Sequence, residues 1–584
     1  MDKKWVLKQV NEWQVEHLYE ALRVNRTICR LLVQRGINTF EESKKFFRPQ
    51  LEEHLYDPFL MKDMDKAVER IDRAINSKEK ILIYGDYDVD GTTAVALVYE
   101  FFKDFYYHVD YYLPDRYKEG YGVSQQGIEW AKEHGFSLII ALDCGIKATA
   151  NVAYASELGI DFIICDHHRP DEQLPKAYAV LDPKREDCNY PFKELSGCGI
   201  GFKLLCALAQ TKDLPFKRIA KQLDLVAVSI AADIVPIIDE NRVLAHYGLR
   251  KLNHSPRHGL QSLIELNGLQ RHLTVSDIVF TIAPRINAAG RMDDAKQAVK
   301  LLLSQEPTSA RKKAGELQEH NQQRKEIDSG ITKEAIQILE SDADFVNRKT
   351  TVIYQPHWHK GVIGIVASRL IERYHRPTIV LTLSNGMVAG SARSVPGFDI
   401  YNAIQSCSDL LDQFGGHKYA AGLTMKEEFV ATFMQRFDQV VAESIDEQLL
   451  IPEIHLDSEI DLAEVTPKFY NLLRQFAPFG PGNMKPIFVA RNLTDVGWSS
   501  VVGNNHLRLI ARQKSGHSLK GIGYNMGDKY QYVANGQAFD VCFTLEENIY
   551  NGVTSLQMNI RDIKPTGAVI EQVEIIEALE YDME

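Results

Sequence analysis

The sequence lacks any run of about 18 apolar residues, the length that a membrane-spanning helix needs. The opening residues, Met1 to Trp5, do not resemble a signal peptide. The eight cysteines are scattered without metal-ligand spacing, and several lie inside apolar runs. We therefore expect reduced, buried thiols, a cytoplasmic location and no membrane partner.

An excess of positive charge is also missing, since the formal net charge is −12. This balance argues against a protein that coats nucleic acid along its whole surface. It does not exclude a nucleic-acid enzyme, because phosphate contacts need only a local basic groove. A length of 584 residues predicts three or more domains.

What the sequence does contain is an apolar, β-prone run from Lys80 to Tyr84 that leads into a glycine and a row of acids. The acids occupy alternate positions: Asp86, Asp88 and Asp90. A helical pattern from Ala94 to Phe102 follows, with Thr92 or Thr93 as its expected N-cap. On an extended backbone the three acids share one face, where their mutual repulsion calls for a cation such as Mg²⁺ or Mn²⁺. For this stretch alone, an acidic surface turn is the alternative.

The pattern of an apolar run that ends in an acid or a histidine recurs three times. Leu138–Leu142 and Phe162–Cys165 have the composition of buried parallel strands, and Leu223–Ala232 that of a helix. The carboxyl ends of parallel strands meet at one sheet edge, so the polar residues that follow should converge there. The converging set is Asp88, Asp90, Asp143, His167 and Asp233. It predicts a two-metal site for phosphate-ester hydrolysis.

Four segments resemble the motifs of the DHH phosphoesterases: Gly85–Gly91, Asp143–Gly145, Asp166–His168 and Ala232–Asp233. The resemblance is closer to the RecJ branch, the bacterial single-strand-specific 5′→3′ exonucleases, and extends from about Leu31 to about Pro565. It implies an α/β fold with a parallel-sheet DHH core, a second α/β lobe joined to it by a long helix, and a C-terminal OB-like β-barrel.

The resemblance further implies two Mn²⁺ or Mg²⁺ ions. The metal ligands that it implies are Asp86, Asp88, Asp90, Asp143, His167 and Asp233. Asp143 and Asp90 would bridge the ions and His168 would contact the scissile phosphate, so Asp143 and His168 are the candidate catalytic residues. The implied partners are single-stranded DNA and, among proteins, a single-strand-binding protein or a helicase.

Basic and aromatic residues outside the acidic motifs are candidates for substrate binding. Between the first two strands, Arg116 and Lys118 are suited to phosphates, and Tyr117 and Tyr121 to unpaired bases. An ordinary glycine loop with solvated charges is the alternative. The full set of candidate substrate-binding residues is Arg116, Tyr121, Arg291, Ser391, Arg393 and His417. Arginines in this set suit a terminal phosphate, which would explain recognition of a strand end.

The glycine-rich stretch from Leu195 to Lys203 stands at a predicted helix start. It would either cradle a phosphate or let the helix pack closely against a neighbour. In the barrel, a binding face is expected from Arg508, Arg512, Lys514, Lys520, Tyr524 and Tyr550. A solvated barrel surface without a ligand is the alternative there.

Together with composition and motif positions, the resemblance implies six consecutive segments. They are a helical N-terminal segment (1–50), the DHH core (51–300), a solvated connector helix (301–345), the DHH-associated lobe (346–450), the OB barrel (451–566) and an acidic tail (567–584).

Two alternatives to a single-strand exonuclease remain, another DHH enzyme and a strand-binding protein without catalysis, and pyrophosphatases of the superfamily are further away. A DHH enzyme for short oligonucleotides or cyclic dinucleotides shares the core but normally lacks the C-terminal barrel. Pyrophosphatases of the superfamily carry a histidine four positions before the middle acid, where this sequence has Tyr84. A strand-binding protein without catalysis would have lost ligands, whereas every ligand position here is filled.

Overall fold

The computed structural model describes residues 2–116, 118–292, 294–534 and 536–573. The predicted roles of Tyr117 and of the Tyr550 side chain lie outside the described residues, as does the part of the acidic tail at 574–584. The chain divides into two compact units. One consists of Gln50–Leu450, and the other combines Met1–Pro49 with Ile451–Glu584.

The larger unit contains a five-stranded, all-parallel sheet in the order β3-β2-β4-β5-β6. Its strands are β2 (Lys80–Gly85), β3 (Val109–Tyr112), β4 (Phe136–Leu142), β5 (Asp161–Cys165) and β6 (Ala179–Leu181). Alternate residues of the central strands enter two separate buried clusters, one on each face of the sheet. Burial on both faces explains why these strands are continuous apolar runs, and it confirms the predicted parallel sheet.

Helices cover both faces of this sheet and continue beyond it. They are α4 (Met64–Asn76), α5 (Val89–Lys103), α6 (Gln125–Glu133), α7 (Thr149–Glu157), α8 (Gly197–Thr211), α9 (Lys217–Ala220), α10 (Leu223–Ala232), α11 (Asp239–His254), α12 (His258–Leu266), α13 (Val275–Asp277), α14 (Ala283–Met292) and α15 (Lys296–Leu302). The apolar run at 223–232 is thus helical, as predicted. A π-helical turn, Ile278–Ile282, precedes α14.

A long helix, α16 (Pro307–Ser341), leads to a second five-stranded sheet in the order β10-β11-β9-β8-β7. The elements of this lobe are β7 (Thr351–Tyr354), α17 (Ile363–Tyr374), β8 (Thr378–Ser384), β9 (Met387–Arg393), α18 (Ile400–Gln405), β10 (Gln413–His417), β11 (Ala420–Met425) and α19 (Val430–Ser444). The interpretation of α16 as a solvated connector is wrong in part, because Asn321, Arg324 and Asp328 on it are buried. None of the helices in the described part of the chain combines the length and apolarity needed to cross a membrane.

The smaller unit is built around a seven-stranded barrel in the order β13-β14-β18-β19-β17-β16-β15, and a further pairing of β14 with β16 closes it. Its strands are β13 (Ser458–Glu459), β14 (Phe488–Asp495), β15 (Ser500–Val502), β16 (His506–Arg512), β17 (Ser518–Gly523), β18 (Phe539–Tyr550) and β19 (Val553–Pro565). Helices from both ends of the chain belong to the unit: α1 (Glu12–Leu22), α2 (Arg26–Val33), α3 (Phe40–Phe47), α20 (Pro467–Arg474) and α21 (Tyr530–Val533). Apolar residues of α1, α2 and α3 share one buried core with the barrel strands.

The prediction that the N-terminal segment is entirely helical is wrong for its first residues. Strand β1 (Lys4–Lys8) lies between β12 (Glu453–Leu456) and β20 (Ile570–Val573), parallel to both. Trp5 in β1 is buried, and its indole nitrogen donates a hydrogen bond of 3.0 Å to Asp562. The described start of the acidic tail is therefore a strand. Both partners of β1 are remote in sequence, so no local pattern announces this sheet.

Candidate metal centre

The acids that follow β2 belong to a tight connection into α5. Strand β2 ends at Gly85, and Asp88 is the N-cap of α5, where its carboxylate accepts a hydrogen bond of 3.0 Å from the Gly91 amide. Asp90 lies already in the first turn of the helix. The extended backbone that would place Asp86, Asp88 and Asp90 on one face is therefore absent here.

The predicted threonine cap is wrong for the same reason. Because Asp88 caps the helix earlier, Thr92 and Thr93 lie inside its first two turns. Their hydroxyls donate to backbone carbonyls within the helix, 2.6 Å to Asp88 and 2.7 Å to Val89. Both hydroxyl protons are therefore used within the helix.

Asp143 follows β4 in a conformation that few residues adopt. Its φ is 59°, in the left-handed region. The first residue of α8, Gly197, packs directly against it, and a Cβ at Gly197 would lie 2.6 Å from the Asp143 Cβ. Of the two interpretations of the glycine-rich stretch, Gly197 therefore supports the second, in which the glycine lets the helix pack closely against its neighbour.

The N-terminus of α8 binds the carboxylate of Asp90, a side chain of the same protein. The amides of Gly197 and Cys198 donate to the two carboxylate oxygens of Asp90, at 2.6 and 2.7 Å. The Ser229 hydroxyl, on α10, adds a third donor at 2.7 Å. Helix N-termini favour negative charge, so this contact fixes the Asp90 carboxylate in place.

His167 is the side chain on which the acids converge. Its Nε2 lies 3.1 Å from Asp143 Oδ1, 3.5 Å from Asp233 Oδ2 and 3.8 Å from Asp90 Oδ2. These acids come from three elements, since Asp143 follows β4, Asp90 lies in α5 and Asp233 is the C-cap of α10. Burial lowers the pKa of His167 to about 4, which favours the neutral imidazole that a metal requires.

Several polar atoms of the centre are buried without a hydrogen-bond partner among the described residues. They are both carboxylate oxygens of Asp86, Oδ1 of Asp143 and both ring nitrogens of His167. Burial, followed by the charges of neighbouring acids, raises the pKa of three carboxyls well above the usual value: Asp86, Asp143 and Asp233. Acids that repel one another, several of whose oxygens lack a donor, fit bound divalent cations, which supply the missing positive charge.

Two overlapping groups of side chains could hold an ion, each with ligand atoms within 4.8 Å of one another. One group is Asp143, His167 and His168, and the other is Asp90, His167 and Asp233. Oxygen and imidazole donors in this combination suit Mn²⁺ and Mg²⁺. Sequence reasoning named every residue of both groups.

Asp166 has a different role from the other acids, and the sequence analysis did not name it as a functional residue. Its carboxylate accepts hydrogen bonds from three backbone amides: Ile146 at 2.9 Å, His167 at 2.8 Å and His168 at 3.1 Å. It also lies 2.7 Å from the Nδ1 of His168. Asp166 thus holds the His167–His168 pair in position, and its place at the head of the motif is the signal that could have indicated this.

His168 contacts Asp166 on one side and Tyr121 on the other. Burial alone would lower the pKa of His168, but the hydrogen bond and charge of Asp166 raise it to about 9. The Tyr121 hydroxyl lies 3.3 Å from the other ring nitrogen of His168, Nε2. Both rings meet edge to face, with centroids 6.2 Å apart.

Four guanidinium groups influence one another: Arg116 from the loop after β3, Arg291 on α14, Arg324 on the connector α16 and Arg393 at the end of β9. Burial, followed by the charges of Arg116, Arg324 and Arg393, lowers the pKa of Arg291 to about 10. Arg291 also donates a 3.1 Å hydrogen bond to the Gly361 carbonyl of the second lobe. Sequence reasoning named Arg116, Arg291 and Arg393 but missed Arg324, because a basic residue on a polar helix resembles a solvated one.

The candidates of the second lobe lie on strands β9 and β10, which flank β11 in the second sheet. Ser391 and Arg393 are on β9, with the Arg393 Nη1 3.4 Å from the Ser391 hydroxyl, and His417 ends β10. Burial, followed by the charges of Arg393 and His168, lowers the pKa of His417. A Cβ at Gly364 would lie 3.0 Å from the Ser391 hydroxyl, which explains the glycine there.

A parallel sheet with acids and a histidine pair at one edge, followed by a second α/β lobe, defines a metal-dependent phosphoesterase of the DHH type. Family models agree along the chain: the DHH family N-terminal domain matches residues 80–230, the DHHA1 domain 347–443 and the RecJ OB domain 456–562.

Curated relatives extend the likeness over nearly the whole chain. The single-stranded-DNA-specific exonuclease RecJ of Bacillus subtilis (strain 168) is 37% identical over 96% of this chain and 70% of its own length. The protein of the same name from Escherichia coli (strain K12) is 34% identical over 92% of this chain and 95% of its own length. The chain belongs to the RecJ family.

Solved structures show the same architecture with metal bound. RecJ from Thermus thermophilus in complex with Mn²⁺ matches with a TM-score of 0.84 and 27% identity, over 97% of this chain and 80% of that one. Exonuclease RecJ bound to manganese matches with a TM-score of 0.58 and 32% identity, over 66% of this chain and 96% of that one. These neighbours confirm the predicted fold class and the Mn²⁺ or Mg²⁺ cofactor, the latter together with a Mg²⁺ complex of RecJ from the same Thermus species.

Proposed function

We propose that this protein is a metal-dependent exonuclease that degrades single-stranded DNA from its 5′ end. The observation that carries the proposal is the pairing of a buried acid–histidine centre with a group of arginines within one compact unit. The first can hold cations for phosphodiester hydrolysis, and the second suits a strand's terminal phosphate. The curated relatives, named single-stranded-DNA-specific exonucleases, support the same activity.

In this proposal the acidic centre performs hydrolysis with two divalent cations. The ligands would be Asp86, Asp88, Asp90, Asp143, His167 and Asp233, with Asp143 and Asp90 facing both ions. Bound cations lower the pKa of water and offset the charge that develops during in-line displacement. His168, held by Asp166, would donate from Nε2 to the scissile phosphate, since its other ring nitrogen is engaged.

Digestion of labelled strands tests this function. We expect Mn²⁺- or Mg²⁺-dependent release of mononucleotides from single strands, starting at the 5′ label, with blunt duplex resistant. Release from the 3′ end first would contradict the proposed polarity. Activity confined to short oligonucleotides or cyclic dinucleotides would favour the other class of DHH enzyme.

Strand-end recognition would lie with the arginines and the second lobe. The proposed contacts to substrate are Arg116, Tyr121, Arg291, Ser391, Arg393 and His417. A terminal phosphate is a dianion, and buried guanidiniums bind it through charge-assisted hydrogen bonds. The half-buried position of Arg393, beside Ser391 and with a pKa lowered by desolvation, supports such a pocket.

Arg393→Ala tests the pocket. We expect kcat/KM for 5′-phosphorylated strands to fall by about 1.5–3 kcal/mol in transition-state stabilisation, the scale of a hydrogen bond to a charged group. Strands with a 5′-hydroxyl should lose much less. Arg436→Ala, on an exposed arginine of the same lobe that pairs with Asp409, is the matched control. An equal loss on both substrates would place Arg393 on the general strand path instead.

The barrel is proposed to hold the strand. A groove of about 410 Å³ on it is lined by exposed Trp498 and Tyr524 together with Arg508 and Lys520. Aromatic rings and cations in one groove suit unpaired bases and their phosphates. We also propose that the six segments predicted from the sequence correspond to the functional domains of the protein.

Location and protein partners are proposals of the same kind. All eight cysteines are free and buried, which supports a reducing compartment such as the cytoplasm. The resemblance to the RecJ exonucleases is the ground for proposing a single-strand-binding protein or a helicase as a partner.

A further inference from the structure

Tyr121 stands at the outer end of a row of polar side chains that begins in the protein interior. Asp166 is buried and fixed by backbone amides, its Oδ1 lies 2.7 Å from His168 Nδ1, and His168 Nε2 lies 3.3 Å from the Tyr121 hydroxyl. Tyr121 itself is 59% exposed. The row thus leads from the sheet edge to the surface over the acidic centre, and a phenol ends it.

The loop that carries Tyr121 is held by side chains on both sides of that residue. Glu119 accepts hydrogen bonds from the Tyr112 hydroxyl at 3.0 Å and from the Ser124 hydroxyl at 2.5 Å. The buried Tyr84 hydroxyl donates to the Gly122 carbonyl at 3.1 Å. Two strands of the sheet therefore fix where Tyr121 stands, as expected for a residue whose polar atom must be placed accurately.

The ring of Tyr121 already has partners of its own. It meets Tyr87 edge to face at a centroid distance of 6.1 Å, as it meets His168 on the other side. The Arg116 guanidinium lies over the Tyr87 ring at 5.1 Å. Edge contacts hold the ring upright and direct its hydroxyl towards His168.

We infer that Tyr121 acts in hydrolysis through its phenolic hydroxyl, whose oxygen contacts His168 Nε2 in this structure. With substrate bound, the hydroxyl and Nε2 would each turn their proton to the phosphate at the centre. Stacking against a base is then not the main role of Tyr121. The inference rests on the proposed function, because it assigns a contact within that reaction. A donor placed where charge develops stabilises the transition state more than the ground state, so its loss lowers kcat rather than raising KM.

The variant Tyr121→Phe separates the hydroxyl from the ring. It keeps the edge contacts with Tyr87 and His168 and removes only the oxygen. We expect kcat on 5′-phosphorylated single strands to fall roughly 10- to 100-fold, with KM nearly unchanged. Tyr121→Leu, which loses ring and hydroxyl, should show the same loss in kcat and little more. Tyr107→Phe, at a largely exposed tyrosine outside the centre, is the control and should match the unaltered protein.

Calorimetric titration with Mn²⁺ completes the experiment, since a hydroxyl that contacts substrate should leave ion affinity unchanged. Full activity of Tyr121→Phe together with a raised KM for Tyr121→Leu would overturn the inference in favour of stacking. Weakened Mn²⁺ binding by Tyr121→Phe would overturn it in favour of a role in the metal centre. Failure of the unaltered protein to hydrolyse any strand would instead refute the proposed function itself.

Discussion

His167 shows how much one residue can reveal about a site. Its Nε2 is within 3.8 Å of carboxylates from three separate elements, yet neither ring nitrogen has a hydrogen-bond partner of its own among the described residues. A neutral imidazole among ionised acids leaves their negative charge uncompensated, and a bound cation would compensate it. The ion-binding role of the centre therefore follows from its unpaired atoms as well as from its motifs.

Removing one charge from this cluster should separate stability from activity. We expect Asp143→Asn to abolish hydrolysis and weaken Mn²⁺ binding, while the metal-free protein melts at the same or a higher temperature. Asparagine tolerates the φ of 59° and keeps the shape, and one fewer buried charge means less repulsion. Activity assays, calorimetry and thermal melts measure the three effects, with Asp110→Asn as an exposed control on the same sheet. Near-normal turnover would refute the assignment of Asp143 as a ligand.

The raised pKa values of Asp86, Asp143 and Asp233 predict a proton exchange on metal binding. A carboxyl with a raised folded pKa favours the metal-free fold below its unfolded pKa of about 3.9, and this contribution is lost as the pH rises through the folded value. Ions bind only the ionised form, so Mn²⁺ affinity should fall with falling pH and binding should release protons. Titrations near pH ~6 in two buffers of different ionisation enthalpy count those protons. Asp143→Asn should release fewer, and an equal count would contradict the assignment.

At the scale of elements, what the sequence could predict follows from how local each signal is. Strands β4 and β5 and helix α10 are solid apolar runs, so their type and their polar ends could be read directly. The start of α5 could not, because Asp88 competes with Thr92 as a cap and only the backbone decides between them. Strand β1 gives no signal of its own, since its two neighbours come from residues 453–456 and 570–573.

Helix α16 shows a second limit of sequence reasoning. Its Asp328 is buried between two arginines, with Oδ2 2.9 Å from Arg324 and Oδ1 2.6 Å from Arg369 on α17. A polar residue on a polar helix is predicted to be exposed to solvent unless its partner is known. The partner Arg369 lies on a later helix, so the sequence around Asp328 does not reveal it. The ion pair fastens the connector to the second lobe.

Breaking this pair should be costly. We expect Asp328→Ala to lower the free energy of unfolding by about 3–5 kcal/mol, because Arg324 is then buried without its carboxylate. Glu326→Ala, two residues away on the same helix and exposed, should change it by less than ~0.5 kcal/mol. Urea unfolding followed by circular dichroism compares the two. Similar small effects for both would mean that water replaces the lost partner of Arg324.

For the whole molecule, the division into two units predicts a functional separation. A fragment of residues 50–450 contains the metal centre and the arginine group, so we expect it to fold and to cleave short strands. Its affinity for long strands should be weaker, with a shallower dependence on salt, since each lost phosphate contact removes roughly 0.7 from the slope. Binding assays at several salt concentrations test this. An unchanged slope would mean that the barrel has an architectural or partner-binding part instead.

A fragment of residues 1–450 should behave differently from one of 50–450. The apolar faces of α1, α2 and α3 pack against barrel strands, and without residues 451–573 they would be left in water. We therefore expect the longer fragment to aggregate sooner, which light scattering on heating would detect.

The sheet that joins β1 to β12 and β20 also determines the order in which the two units can fold during synthesis. Proteins are synthesised from the N-terminus and domains generally fold as they emerge, so the catalytic unit can form while residues 4–47 still wait for their partners. Those residues must stay unpaired until the barrel sequence has left the ribosome. A chain whose synthesis stops early therefore has a nuclease centre but an exposed apolar N-terminal segment, the kind of surface that chaperones and proteases bind.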